Sequence, residues 1–152
     1  MRFNLEDHSA KLIAWDIIGL GRPESGEHYR HAELKQTLQL NVSGQCLFLD
    51  KLQLVKNSEL LDSPAGFNQA TLFATALFYA SDLESQKMLL EALQSQKWLG
   101  HVGITRVSEA LLVMRVLSNS LDEIKADLFE AWCLARPLIL GRDALKPRIW
   151  NT

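Results

Sequence analysis

The sequence predicts a mainly β protein with two α-helices, a β-rich α+β fold. Three observations carry this. Through the first half of the chain the apolar residues either alternate with a period of two or form short continuous runs. Each run is bounded by clusters of Gly, Pro, Ser or Asp. A helical period of 3.6 emerges only twice, late in the chain, each time behind a Ser-x-x-Glu pair of the kind that caps a helix.

The segment Lys11 to Leu20 is a nearly continuous apolar run rich in Ile, which suits a strand buried on both faces. Residues Gly21 to Glu27 hold the Gly, Pro and charge density of an irregular surface loop. From Leu34 the pattern alternates, with Leu38, Leu40 and Val42 on one parity, before a turn at Ser43 and Gly44. The second arm of this hairpin runs from Cys46 to Val55, and Cys46, Phe48, Leu52 and Leu54 share one face of its pleat. Thr71 to Tyr79 reads as a further strand, although its alanines weaken the β preference.

Ser81 and Glu84 form the first capping pair, followed by Leu83, Leu89, Leu90 and Leu93 at helical spacing. Ile104 to Val107 and Ala110 to Leu117 predict a hairpin turning at Ser108 and Glu109. Ser120 and Glu123 form the second capping pair, and the stripe Leu121, Ile124, Leu128, Ala131, Trp132 and Ala135 predicts a helix that ends near Pro137 and Gly141.

The length of 152 residues suits one domain over residues 1–152, able to bury roughly two thirds of its unfolded surface. A composition 47% hydrophobic and 22% charged is that of an ordinary globular chain. Sixteen Lys and Arg against eighteen Asp and Glu give a net charge of -2, so nucleic acid and anionic membranes are not expected partners. The amino terminus lacks the apolar core of a signal peptide, which makes the cytoplasm the expected compartment. Cys46 and Cys133 have no CxxC or CxxH neighbour and are expected to be buried, reduced thiols.

Two carboxylates fall in unusual places. Asp16 shares parity with Leu12, Ala14 and Ile18 inside an apolar strand, and Asp50 sits on the same face as Phe48, Leu52 and Leu54. A carboxylate among apolar neighbours loses hydration and needs donors or a cation in return. The pair could line a polar channel, ligate a divalent metal, or form structural ion pairs with arginines such as Arg22 or Arg106. His28 and His31 lie three apart in a polar stretch, compatible with one helical turn or with an ordinary loop, and no third ligand is placed beside them. No GxSxG, HExxH, Walker or GxGxxG motif gives catalysis an address.

The stretch from Leu12 through Trp15, Asp16, Gly19, Gly21, Arg22 and Pro23 to Gly26 and Glu27 resembles the W-[DE]-x-x-x-x-G-R-P-x-x-G-E segment of the UreD (UreH) urease accessory proteins. Leu47 to Leu52 resembles the family's L-x-[DE]-R-L strand, with Lys51 where Arg is usual, and Arg148 to Thr152 resembles its R-I-W-x-T terminus. The resemblance implies stacked, superhelical β-sheets with two helices and a non-enzymatic role. That role is a scaffold for nickel insertion into urease, acting with UreF, the GTPase UreG and urease apoprotein. Nickel would be in transit, with none bound stably, through a tunnel whose proposed lining includes the acidic positions matched by Asp16 and Asp50.

Family members also carry a long amino-terminal half, with a P-G-G-x-x-G-G-D segment, ahead of the region matched here. The chain is therefore expected to correspond to the carboxyl-terminal portion and to be impaired unless the other half is supplied. Two other readings stand beside this one: a small β-rich hydrolase using Asp16 and Asp50, which needs them about 5 to 9 Å apart in a cleft, and a metal-free structural interaction domain.

Overall fold

A computed structural model of the chain describes residues 1–22, 27–28 and 33–145. Its strands are β1 (Arg2–Leu5), β2 (Leu12–Gly19), β3 (Gly21–Arg22), β4 (Glu27–His28), β5 (Leu34–Val42), β6 (Gln45–Leu54), β7 (Leu72–Tyr79), β8 (His101–Ser108) and β9 (Leu111–Ser118). The helices are α1 (Leu83–Ser95) and α2 (Leu121–Leu140). The fold is thus β-rich with two helices, as the sequence predicts. Among the described residues, no helix is long and apolar enough to cross a membrane.

Two sheets carry the architecture. A four-stranded antiparallel sheet runs in the order β2-β7-β9-β8, and a three-stranded sheet in the order β1-β5-β6, with β1 parallel to β5. The span read as a loop after β2 instead holds a two-residue antiparallel ladder, Gly21 opposite His28 and Arg22 opposite Glu27.

The β5–β6 turn forms where predicted. Ser43 and Gly44 both take positive φ, 51° and 75°, which gives the two-residue connection a twist matching that of the strands it joins. One feature of this hairpin corrects the sequence reading. The register slips after Leu40, which faces Phe48 while Asn41 faces Cys46, so Leu47 is an extra residue in β6. The bulge moves Cys46 off the inner face to lie opposite Asn41, and its thiol is exposed rather than buried. Cys133, on α2, is half-buried, and burial followed by the neighbouring Glu130 charge pushes its thiol above the usual range.

The four-stranded sheet is the middle layer. Its helix-facing side presents Ala74, Ala76 and Phe78 of β7, Ala80 just beyond it, and Leu112, Met114 and Val116 of β9. Against these pack Leu89 and Leu93 of α1 and Ile124, Leu128, Ala131, Ala135 and Ile139 of α2. The alanines that weaken the strand signal in β7 all lie on this side, where small side chains let the helices approach the sheet. The opposite side faces the three-stranded sheet.

Both helix starts differ in detail from a capping box. The residue before α1 is Asp82, not Ser81, and its carboxylate accepts a hydrogen bond from the Ser85 hydroxyl at 2.5 Å. At α2, Ser120 Oγ accepts from the Glu123 N–H at 3.4 Å, as expected. The Glu123 carboxylate does not return to the Ser120 N–H. It accepts from Ser118 Oγ at 2.5 Å, and Ser118 Oγ accepts from the Ser120 N–H at 2.9 Å, so a serine is interposed in the box. Pro137 lies inside α2 instead of ending it, and the helix stops at Gly141, whose φ of 63° and N–H bond to the Pro137 carbonyl form a left-handed cap.

Two buried polar side chains bind helices to strands. Gln86 of α1 donates to the Phe78 and Ala110 carbonyls at 3.1 and 3.0 Å. Asp127 of α2, 3% exposed, accepts the Leu99 and Gly100 N–H groups, both at 2.9 Å. The chain passes so close here that a Cβ on Gly100 would lie 2.9 Å from the Leu117 carbonyl oxygen, which accounts for the glycine.

Candidate functional site

The space between the two sheets is not uniformly apolar. One cluster there holds Leu38, Leu40, Val42, Leu77, Tyr79, Leu111 and Val113. A second holds Leu20, Leu54, Phe67 and Phe73, with Ile18, Leu34, Leu52 and Leu117 against it. Between the clusters lies a polar stratum. Each of five strands surrenders one inward position at the same level: β2 at Asp16, between Ile18 and Leu12; β5 at Gln36, between Leu34 and Leu38; β6 at Asp50, between Leu52 and Phe48; β7 at Thr75, between Phe73 and Leu77; β9 at Arg115, between Leu117 and Val113.

Register explains the alignment. Asp16 lies directly opposite Thr75, and Thr75 opposite Arg115, so the three form one row across β2, β7 and β9. Cross-strand partners project to the same face, and at about 4.8 Å per strand the outer two backbones are roughly 10 Å apart. On the facing sheet Gln36 lies opposite Leu52, and Asp50 opposite Leu38, which sets Gln36 and Asp50 diagonally across the hairpin.

Two bridges cross between the sheets. Gln36 Nε2 donates to Asp16 Oδ2 at 2.8 Å. Arg115 Nη2 donates to Asp50 Oδ2 at 2.7 Å, with the two side chains 47% and 33% exposed. Thr75, 5% exposed, lies in the row between them, so the stratum runs from a buried middle to a wetter end at Arg115. Asp16 and Asp50 thus occupy one layer, each engaged by a different partner.

The structural partner of Asp50 is Arg115, not the arginines named from the sequence. Arg106 lies opposite Leu112, on the side of the sheet that faces the helices, and cannot enter the intersheet space. The side chain of Arg22 lies outside the described residues. Gln36, Thr75 and Arg115 escaped the sequence reading, yet each bears the signal that exposed Asp16 and Asp50: a polar residue interrupting an inward apolar parity. Thr75 looks unremarkable in a strand because β-branched residues belong there.

The stratum offers two carboxylates, a hydroxyl and an amide, all oxygen donors, with one guanidinium. Carboxylate and carbonyl oxygens with water suit hard divalent ions, and nickel accepts such ligands along with imidazole. No group of three or more His, Cys, Asp or Glu that could hold a metal occurs among the described residues. The histidines stand apart from the layer: His8 Nδ1 is 3.3 Å from the Tyr79 hydroxyl, and His101 is exposed on β8. Of the pair read as a possible helical turn, His28 lies in β4 with its side chain outside the described residues, and His31 lies wholly outside them, as does the carboxyl-terminal Arg148 to Thr152 segment.

Comparison with known proteins follows the same direction. The family model for the UreD urease accessory protein matches residues 1–151. Urease accessory protein UreD 2 of Pseudomonas syringae pv. syringae is 38% identical over 144 residues, 94% of this chain and 50% of the relative. UreD of Alkalilimnicola ehrlichii is 34% identical over 151 residues, 99% of this chain and 51% of the relative. UreD of Nitrosococcus oceani is 37% identical over 143 residues, 94% of this chain and 47% of the relative. The chain spans about half the length of the curated relatives it matches. Over essentially its whole described length, and with the Asp16 and Asp50 strands inside the matched region, the chain belongs to the UreD urease accessory protein family.

Proposed function

We propose that the chain acts as a non-enzymatic scaffold in urease maturation, assisting nickel insertion together with UreF, UreG and urease apoprotein in the cytoplasm. The polar stratum between the sheets carries this reading. Five inward positions given to polar residues at one level weaken the intersheet core, because polar groups there gain less than the apolar contacts they displace. A layer of oxygen donors suits the passage of a hydrated divalent cation, with Asp16 and Asp50 in its lining. Nickel is cargo in this scheme, held weakly and handed on, since two carboxylates in one layer are too few to retain it.

A hydrolytic role draws less support from the same geometry. Asp50 is held by Arg115 and Asp16 by Gln36, so the two carboxylates serve separate bridges and are not set as an acid facing a base.

The scaffold role is tested by co-purification with UreF and urease apoprotein, using this chain alone and with the remaining half of a full-length relative supplied in trans. Capture in either format, retained by an Asp16→Asn/Asp50→Asn variant, is the expected result. Absence of capture in both formats contradicts the scaffold assignment.

A further inference from the structure

The two bridges of the stratum differ in one respect that matters for a passing cation. Asp16 is met by a neutral amide, whereas Asp50 is met by a full positive charge. Among the described residues Asp50 is the only ion-pair partner of Arg115. Arg115 reaches it from the other sheet, on a long stem anchored in β9, and nearly half of its side chain is already in water. A guanidinium in that position holds one of the two Asp50 carboxylate oxygens, and its charge repels a divalent ion from the other at short range. The cost of releasing it is small, because half-exposed ion pairs contribute little and a freed Arg115 head would be hydrated at once.

We propose that Arg115 is a resident counter-ion that gates Asp50: the guanidinium covers the carboxylate when no metal is passing and swings toward solvent when a divalent cation takes its place. Occupancy by Arg115 and by metal are mutually exclusive at Asp50. The gate keeps the wetter end of the stratum from retaining stray cations and makes entry there a displacement, not a simple binding event. The proposal rests on the reading of the stratum as a nickel path.

The test uses the full chain without an affinity tag, titrated with nickel(II) chloride alone, and follows paramagnetic broadening of the backbone amides of Leu38, Thr75 and Asp50. Arg115→Met should lower the nickel concentration for half-broadening by about threefold or more, the scale of a half-exposed charge pair. Asp50→Asn should raise it, and the Arg115→Met/Asp50→Asn double variant should behave as Asp50→Asn does. Arg115→Lys, which keeps the charge but loses the planar fork, should fall between wild type and Arg115→Met, and it carries the comparison if the methionine variant does not fold. An unchanged midpoint in the Arg115 variants, with Asp50→Asn still weakening binding, overturns the gate and leaves the nickel path standing. Unchanged midpoints in both Asp16→Asn and Asp50→Asn, or no broadening of these amides in any variant, overturn the nickel path and the gate with it.

Discussion

The Asp16–Gln36 bridge can be weighed by a double-mutant cycle in which each residue is replaced by Leu singly and together. The bond is 2.8 Å long and its acceptor is a carboxylate, a class contributing about 1.5 to 3 kcal/mol when fully shielded. Both residues are only half-buried, so the low end applies, and a coupling energy of about 1 to 1.5 kcal/mol is expected. Each single variant strands one polar partner but gains apolar contact, which leaves it within about 1 kcal/mol of wild type. The double variant strands nothing, and its two leucines join the apolar clusters on either side of the stratum. It should be at least as stable as wild type, and up to about 1 kcal/mol more so. Urea unfolding of the four proteins reads this directly: with a slope of about 2 kcal/mol per M, the coupling appears as about 0.5 to 0.75 M in the midpoints. Additive effects, within about 0.3 kcal/mol, would refute the bridge, and a double variant less stable than both singles would refute the claim that the stratum is held at the expense of stability.

Two further predictions concern the frame that holds the stratum. Asp127→Ala should destabilise the chain by about 2 to 3 kcal/mol in urea unfolding, because it leaves the partly buried Leu99 and Gly100 N–H groups without their carboxylate acceptor; a loss under about 1 kcal/mol would mean the loop finds other partners. Tyr79 has its phenol pushed above the ordinary value of 10.0 by burial and, secondarily, by the Asp7 charge. A raised folded-state value means this contribution is fully present below pH 10.0 and is lost as pH rises through the folded value. The stability of wild type should therefore fall above that pH more steeply than that of Tyr79→Phe, as followed by thermal melting; parallel curves would contradict it.

Much of the fold is legible in the sequence because its signals are local. The Ser43-Gly44 turn, the β8–β9 hairpin and the α2 stripe are each set by residues within a few positions of one another. What escaped is set by partners distant in sequence. The Leu47 bulge re-aims Cys46 only because β5 fixes the register opposite it. Two local details escaped as well: Pro137 stays within α2, which runs on to the Gly141 cap, and Glu123 is diverted from its box by Ser118, which ends the preceding strand. The same division governs the site. Asp16 and Asp50 stand out as charges within apolar parities, but their partners Gln36 and Arg115 are 20 and 65 residues away and are joined only by the stacking of the two sheets. Arg115 carries the same signal as the carboxylates, a charge inside an apolar strand, and that rule applied to every strand would have found it.

The central claim is that the polar stratum conducts nickel to urease. Its most direct test is the nickel content of urease apoprotein matured with UreF, UreG and the remaining half of a full-length relative supplied in trans, comparing wild type with the Asp16→Leu/Asp50→Leu variant at equal partner capture. The stratum account predicts a severalfold lower nickel content per urease active site for the variant, with capture and folding retained. Equal nickel content would contradict it and leave the layer as a structural seam of a metal-free scaffold.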